Sequence, residues 1–150
     1  TKSSGRSKIK NKLEDRSRKI GVKGMDMKFK FENLIVWQKA MEFGEDINKI
    51  TYKFPKEETY NIAQQIRRAA DSIALNISED SIGQTNPEFK KFLGYTIRSL
   101  AEVVTCLHKI RKRKYISEEN FNRYYEDSFD LMNMLVGLKK SVDRRVKIEV

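Results

Sequence analysis

At 150 residues the chain suits a single domain, able to bury roughly two thirds of the surface its unfolded form exposes. Charged side chains make up 35% of it, with a net charge of +10, yet Leu, Ile, Val and Phe remain numerous enough for a core. One cysteine excludes an intrachain disulfide and a multi-cysteine metal site, no run approaches the roughly 20 apolar residues of a membrane span, and two prolines with seven glycines argue against a turn-rich β protein.

The positive charge is unevenly spread. Residues 1–30 hold 11 basic and 3 acidic groups, so most of the excess precedes the expected domain. Ile9, Leu13 and Ile20 follow no sustained period there, and such a basic, weakly apolar stretch reads as a flexible tail. The other readings are a nucleic-acid-binding arm, an expression remnant, or sequence upstream of a start at Met25 or Met27. Behind it we expect a bundle over 31–142 and a charged C-terminal tail over 143–150. No secretory signal is visible, and the expected location is the cytoplasm.

From Asn33 to about Lys53, Val36, Ala40, Phe43, Ile47, Ile50 and Phe54 recur at helical spacing, with Leu34, Trp37 and Met41 widening the stripe. Pro55 punctuates the chain, and Glu57 and Glu58 suit the first turn of a second helix that reaches Gly83. Its stripe is Ile62, Ile66, Ala69 and Ile73, and the next step in the 4-3-4 rhythm is Asn76. A third helix opens with Asn86 as cap and Pro87 in its first turn, and carries Phe89, Leu93, Thr96, Leu100, Val103, Leu107 and Ile110 inward. Ser117 caps a fourth, with Glu118 and Glu119 in its first turn and Phe121, Tyr124, Ser128, Leu131, Leu135, Leu138 and Val142 on its apolar row. Beyond Ser141 the row turns charged and the helix is expected to fray. Four such helices with short connections predict an all-α, up-down-up-down antiparallel four-helix bundle.

The chemistry read from these residues is sparse. Di-metal bundles use Glu-x-x-His motifs, whereas the single histidine, His108, has no glutamate three residues before it. Oxygen-only metal binding by Glu79 and Glu102 is a weaker reading than ion pairing with an arginine. Cys106 and His108 are two apart and point to different helix faces. Neither a Gly-rich phosphate loop nor a nucleophile elbow is present, so no enzymatic activity, metal or cofactor is expected. Asn76 on a core-facing row predicts a buried polar network that fixes helix register, with Glu79, Glu102, Arg67 or Arg68 as partners; the functional alternative is a polar recognition site. Arg67 and Asp71 are spaced as an i,i+4 pair. Lys109, Arg111, Lys112, Arg113 and Lys114 form a basic run that reads either as charge matched to the helix dipole or as a phosphate-contacting patch, with Arg67 and Arg68 as further candidate contacts.

Several segments together resemble the family of four-helix-bundle proteins encoded in intervening sequences of bacterial large-subunit (23S) rRNA genes. They are Phe31-Glu32-Asn33-Leu34-Ile35-Val36-Trp37-Gln38-Lys39-Ala40, then Phe54-Pro55-Lys56-Glu57-Glu58-Thr59-Tyr60 and Gln65-Ile66-Arg67-Arg68-Ala69-Ala70-Asp71-Ser72-Ile73. Asn76-Ile77-Ser78-Glu79-Asp80 is similar to the family's Asn-Ile-Ala-Glu-Gly, and Ser99-Leu100-Ala101-Glu102 extends the likeness into the third helix. The chain departs at Asp80, where Gly is usual, and at Arg98, where a small residue is common. The resemblance implies a homo-oligomer, with a pentamer the known arrangement, and no established enzymatic activity. Related bundles accompany reverse transcriptases of diversity-generating retroelements, binding nucleic acid and the polymerase. A homo-oligomer that binds RNA or DNA through basic patches is therefore expected, beside a reverse transcriptase or not, with no membrane partner; the competing reading is a protein-interaction scaffold.

Overall fold

Each row at helical spacing becomes a helix in the computed structural model, which describes residues 26–81 and 85–149. The four long helices are α1 (Ile35–Thr51), α2 (Ile62–Asp80), α3 (Asn86–Lys112) and α4 (Glu118–Glu149), with 3-10 turns at Lys30–Asn33 and Lys56–Glu58 and no strand among the described residues. Three ion pairs record their directions. Arg113, just past α3, reaches Glu58 just before α2; Arg123 near the start of α4 faces Asp46 near the end of α1; and Lys90 early in α3 meets Asp143 late in α4. Consecutive helices are therefore antiparallel, and the expected four-helix bundle is the architecture found. Each pair joins a cation to a half-buried carboxylate near the surface, and such contacts mark geometry more than they stabilise it.

The seam is made by Ile47 of α1, Ile66, Ile73 and Ile77 of α2, Leu100, Leu107 and Ile110 of α3 and Leu135 of α4, all fully buried. At about 0.8 kcal/mol per buried methylene, this burial contributes more than any other interaction to holding the bundle together. Where α1 crosses α2 the facing residues are small: Ala40 and Gly44 against Ala70 and Ala74. A Cβ on Gly44 would lie only 3.7 Å from the Ala70 carbonyl oxygen, so the two backbones approach closely. At the entrance to α1 the Phe31 ring packs edge-on against Trp37 at 5.3 Å. The buried amide of Gln38 donates to the Glu32 carbonyl at 2.7 Å, which explains why this motif is built as a unit.

Four expectations need correction. The buried row of α2 steps from Ile73 to Ile77, and Asn76 is only half-buried. The polar residues buried deepest among the described ones are Thr96 and Ser128, whose hydroxyls donate to the Phe92 and Tyr124 carbonyls of their own helices at 3.1 and 2.6 Å; Gln38 and Thr51 are buried as well. Glu57 and Glu58 occupy a separate 3-10 turn, because the backbone at Asn61 (φ −118°, ψ −111°) leaves the helical region before α2 begins. Thr85, not Asn86, caps α3: its hydroxyl accepts from the Glu88 amide, and the Glu88 carboxylate accepts from the Thr85 amide. Finally, α4 does not end near Ser141 but runs to Glu149, with Val142 buried and Asp143 paired to Lys90. Gly83 and the bulk of the 1–30 segment lie outside the described residues, as does the end of the 143–150 stretch at residue 150.

Candidate nucleic-acid interface

The antiparallel order brings the end of α1, the start of α2, the end of α3 and the start of α4 to one end of the bundle. There α3 terminates in a paired turn: the Tyr115 amide donates to the Ile110 carbonyl at 2.9 Å and the Lys114 amide to the Arg111 carbonyl at 3.0 Å. Lys114 takes the left-handed conformation this turn requires (φ 61°), a position glycine usually fills. Tyr115 then folds back onto Phe54, ring centres 5.7 Å apart, anchoring the basic run against the core.

The seven cations singled out in the sequence fall into three groups. Arg111 grips Glu118 with a two-pronged contact, Nε to Oε1 at 3.1 Å and Nη2 to Oε2 at 2.7 Å, while its guanidinium lies 4.4 Å from the Phe121 ring centre. That hydrogen-bonded pairing raises the arginine pKa and lowers the Glu118 carboxyl, so both stay charged. Arg113 is tied to Glu58 at 3.2 Å. Lys109, Lys112 and Lys114 are exposed and carry no ion pair among the described residues. Arg67 and Arg68 of α2 form the third group; Arg67, half-buried, donates to the Thr51 hydroxyl at 3.3 Å. The expected Arg67–Asp71 ion pair is absent. Desolvation, with Glu45 adding to it, pushes the Asp71 carboxyl up, and the charge of Arg67 only opposes this. Arg68 is exposed less than two turns into α2, in a polar groove with Tyr60, Gln64, Gln65 and Glu102.

No hydrogen bond or ion pair joins Asn76, Glu79 and Glu102; Glu102 accepts instead from the Gln65 amide at 3.4 Å. The expected network is not assembled because Asn76 stands beside the seam rather than in it. Cys106 is buried and its thiol is pushed up by desolvation, whereas His108 is exposed on another face, edge-on to Phe121 and Tyr125. Among the described residues no three His, Cys, Asp or Glu side chains are placed to hold a metal ion. Arg98, the departure noted in α3, is exposed with its guanidinium 5.8 Å from the Tyr95 ring centre, so it crowds no helix contact.

Two features escaped the sequence reading. Lys90, Lys91, Arg98 and Lys139 line a groove between α3 and α4 with no carboxylate among its described lining residues, Asp143 pairing with Lys90 beside it. On the neighbouring face, Glu42, Asp46, Asp127 and Asp130 crowd a cleft between α1 and α4, with Lys39 beside them. There burial raises the Asp127 carboxyl; Arg123 opposes this, while Asp46, Glu42 and Asp130 add to it. The α3/α4 groove is thus cationic and the α1/α4 cleft anionic.

Fold and surface together define a small antiparallel four-helix bundle with one basic groove and one acidic cleft, none of whose described helices is long and apolar enough to cross a membrane. The chain belongs to the 23S rRNA-intervening sequence protein family, whose sequence profile matches residues 32–137. Among solved structures it is similar to a protein of unknown function from the S23 ribosomal protein family of Bacteroides thetaiotaomicron VPI-5482, with a TM-score of 0.66 and 24% identity. The likeness covers 71% of this chain and 99% of that one, and at such identity it speaks for the fold alone. No curated protein matches the chain.

Proposed function

We propose that this protein is a non-enzymatic bundle that self-assembles as a homo-oligomer and binds RNA or DNA through the cationic end of α3. The sorting of charges at that end carries the reading: Glu118 and Glu58 hold Arg111 and Arg113, and Lys109, Lys112 and Lys114 are left facing water without an acidic partner among the described residues. Each lysine that meets a phosphate releases counterions, so the affinity has a steep salt dependence. The neighbouring Arg68 adds to the patch, and Arg67, held by Thr51, acts as structure.

Self-association is supported by the groove of about 380 Å³ between α1 and α2, where Trp37, Met41 and Leu75 surround the small residues of the crossing. Leu75 is 56% exposed there, an apolar surface suited to a second copy. Five copies is the arrangement the resemblance implies, and a ring would multiply weak phosphate contacts through avidity.

Filter binding of RNA and DNA oligonucleotides across about 50 to 200 mM salt tests the first half, using the full chain and a form lacking residues 1–25. The reading requires both forms to bind and the affinity to fall linearly on a log–log plot. Binding that disappears with residues 1–25 would move the site off the bundle, and no binding at low salt would favour a protein-interaction scaffold. Light scattering tests the second half: a mass of one chain at every concentration would overturn self-assembly. Retention of a reverse transcriptase by the immobilised bundle would extend the reading to the accessory role that the resemblance implies.

A further inference from the structure

The groove between α3 and α4 lies at the far end of α3 from Lys109, Lys112 and Lys114. Its walls are Pro87, Lys90, Lys91, Gly94, Tyr95 and Arg98 of α3, with Lys139 reaching in from α4. A Cβ built on Gly94 would meet no atom within 4 Å, so the middle of the groove is open. Asp143 neutralises Lys90, while Glu88 accepts from the Thr85 amide in the cap and Glu102 from Gln65 of α2. Lys91, Arg98 and Lys139 are left in the groove with no ion pair among the described residues.

Spacing links this groove to the other end. Lys91, Arg98, Thr105 and Lys112 are each seven residues apart, and all four are exposed. Seven residues are nearly two turns, so they form one stripe that drifts by about 20° per step. Ala101, also exposed, and Thr105 are the small residues that keep the middle of the stripe low. At about 1.5 Å per residue the stripe runs about 30 Å, from the groove to the lysine end.

Resting on the proposed nucleic-acid reading, we infer that the groove is a second contact site, and that one single strand of nucleic acid lies along α3 from Lys91, Arg98 and Lys139 to Lys112. A cationic track about 30 Å long suits a single-strand site of the usual 4–16 nucleotides. The choice of single strand over duplex comes from Tyr95. It is 40% exposed beside the groove, with the Arg98 guanidinium near its ring. Only an unpaired base can stack on such a ring while its phosphate meets the lysines.

Fluorescence anisotropy of a labelled oligouridylate of about 16 nucleotides, titrated with the full chain at several salt concentrations, tests this. Relative to wild type, Lys91→Gln/Arg98→Gln/Lys139→Gln should weaken binding and flatten the log–log salt slope by about 2, three contacts at about 0.7 each. Tyr95→Ala should weaken the single strand about tenfold and leave a duplex of matching length unaffected. Gly94→Glu, which places a carboxylate in the open groove, should reproduce the loss with an unchanged melting curve, so that misfolding cannot account for it. If Lys109→Gln/Lys112→Gln/Lys114→Gln weakens binding while the groove variants keep wild-type affinity and slope, the track is wrong and the lysine end alone is the site. Equal loss for strand and duplex with Tyr95→Ala would overturn the single-strand assignment, and no binding by wild type would overturn both readings together.

Discussion

Replacing Ile77 and Asn76 in turn by alanine decides which of two adjacent positions forms the seam of α2. Ile77 is fully buried, whereas Asn76 is half-buried and makes no side-chain hydrogen bond among the described residues. Ile77→Ala removes three carbons, about 2.4 kcal/mol at about 0.8 per group, and the cavity it leaves brings the expected loss to about 3 kcal/mol. Asn76→Ala removes no buried partner and should cost less than about 1 kcal/mol. In urea, with a slope of about 2 kcal/mol per molar, the first variant should lower the midpoint by about 1.5 M and the second by less than about 0.5 M. Protein concentration must be held fixed, because self-association would itself stabilise the fold. A larger loss at Asn76 than at Ile77 would refute the placement of the row and revive the buried polar network.

Burial and three neighbouring carboxylates raise the Asp127 carboxyl, so the folded state binds its proton more readily than the unfolded chain does. Stability should therefore rise as pH falls through the folded pKa, and Asp127→Asn should raise Tm at neutral pH, with the gain shrinking towards about pH 4; a gain independent of pH would contradict this. Lys114→Gly relieves the left-handed strain of a side chain at φ 61° and should add about 1 kcal/mol in a thermal melt, while removing one phosphate contact from the salt slope. A destabilised Lys114→Gly would mean that the turn after α3 is held by the lysine side chain rather than by its backbone.

Most of the fold was legible because the rows on α1, α3 and α4 follow an unambiguous 4-3 alternation. At the end of α2 that alternation offers two continuations. From Ile73, a step of three to Asn76 and a step of four to Ile77 depart from the row by similar angles on a 3.6-residue helix. Ala70 and Ala74, both buried, shift the centre of the stripe towards Ile77, a cue already present in the small side chains facing α1. The site was less legible, since a basic run does not show which of its cations are neutralised. Arg111 finds Glu118 across a turn, and Arg113 finds Glu58 from 55 residues away in the chain. The groove was missed for a similar reason: Lys139 comes from α4, and only the seven-residue spacing of Lys91 and Arg98 hinted at a shared face.

The division of labour among the cations is the claim on which the functional reading turns, and the salt slope of RNA binding measures it directly. Lys109→Gln/Lys112→Gln/Lys114→Gln should flatten the log–log slope by about 2. Arg111→Gln/Glu118→Gln deletes the two-pronged pair without changing net charge, and should leave the slope unchanged while lowering Tm. A slope indifferent to the three lysines, or one that follows the Arg111–Glu118 pair instead, would contradict the account.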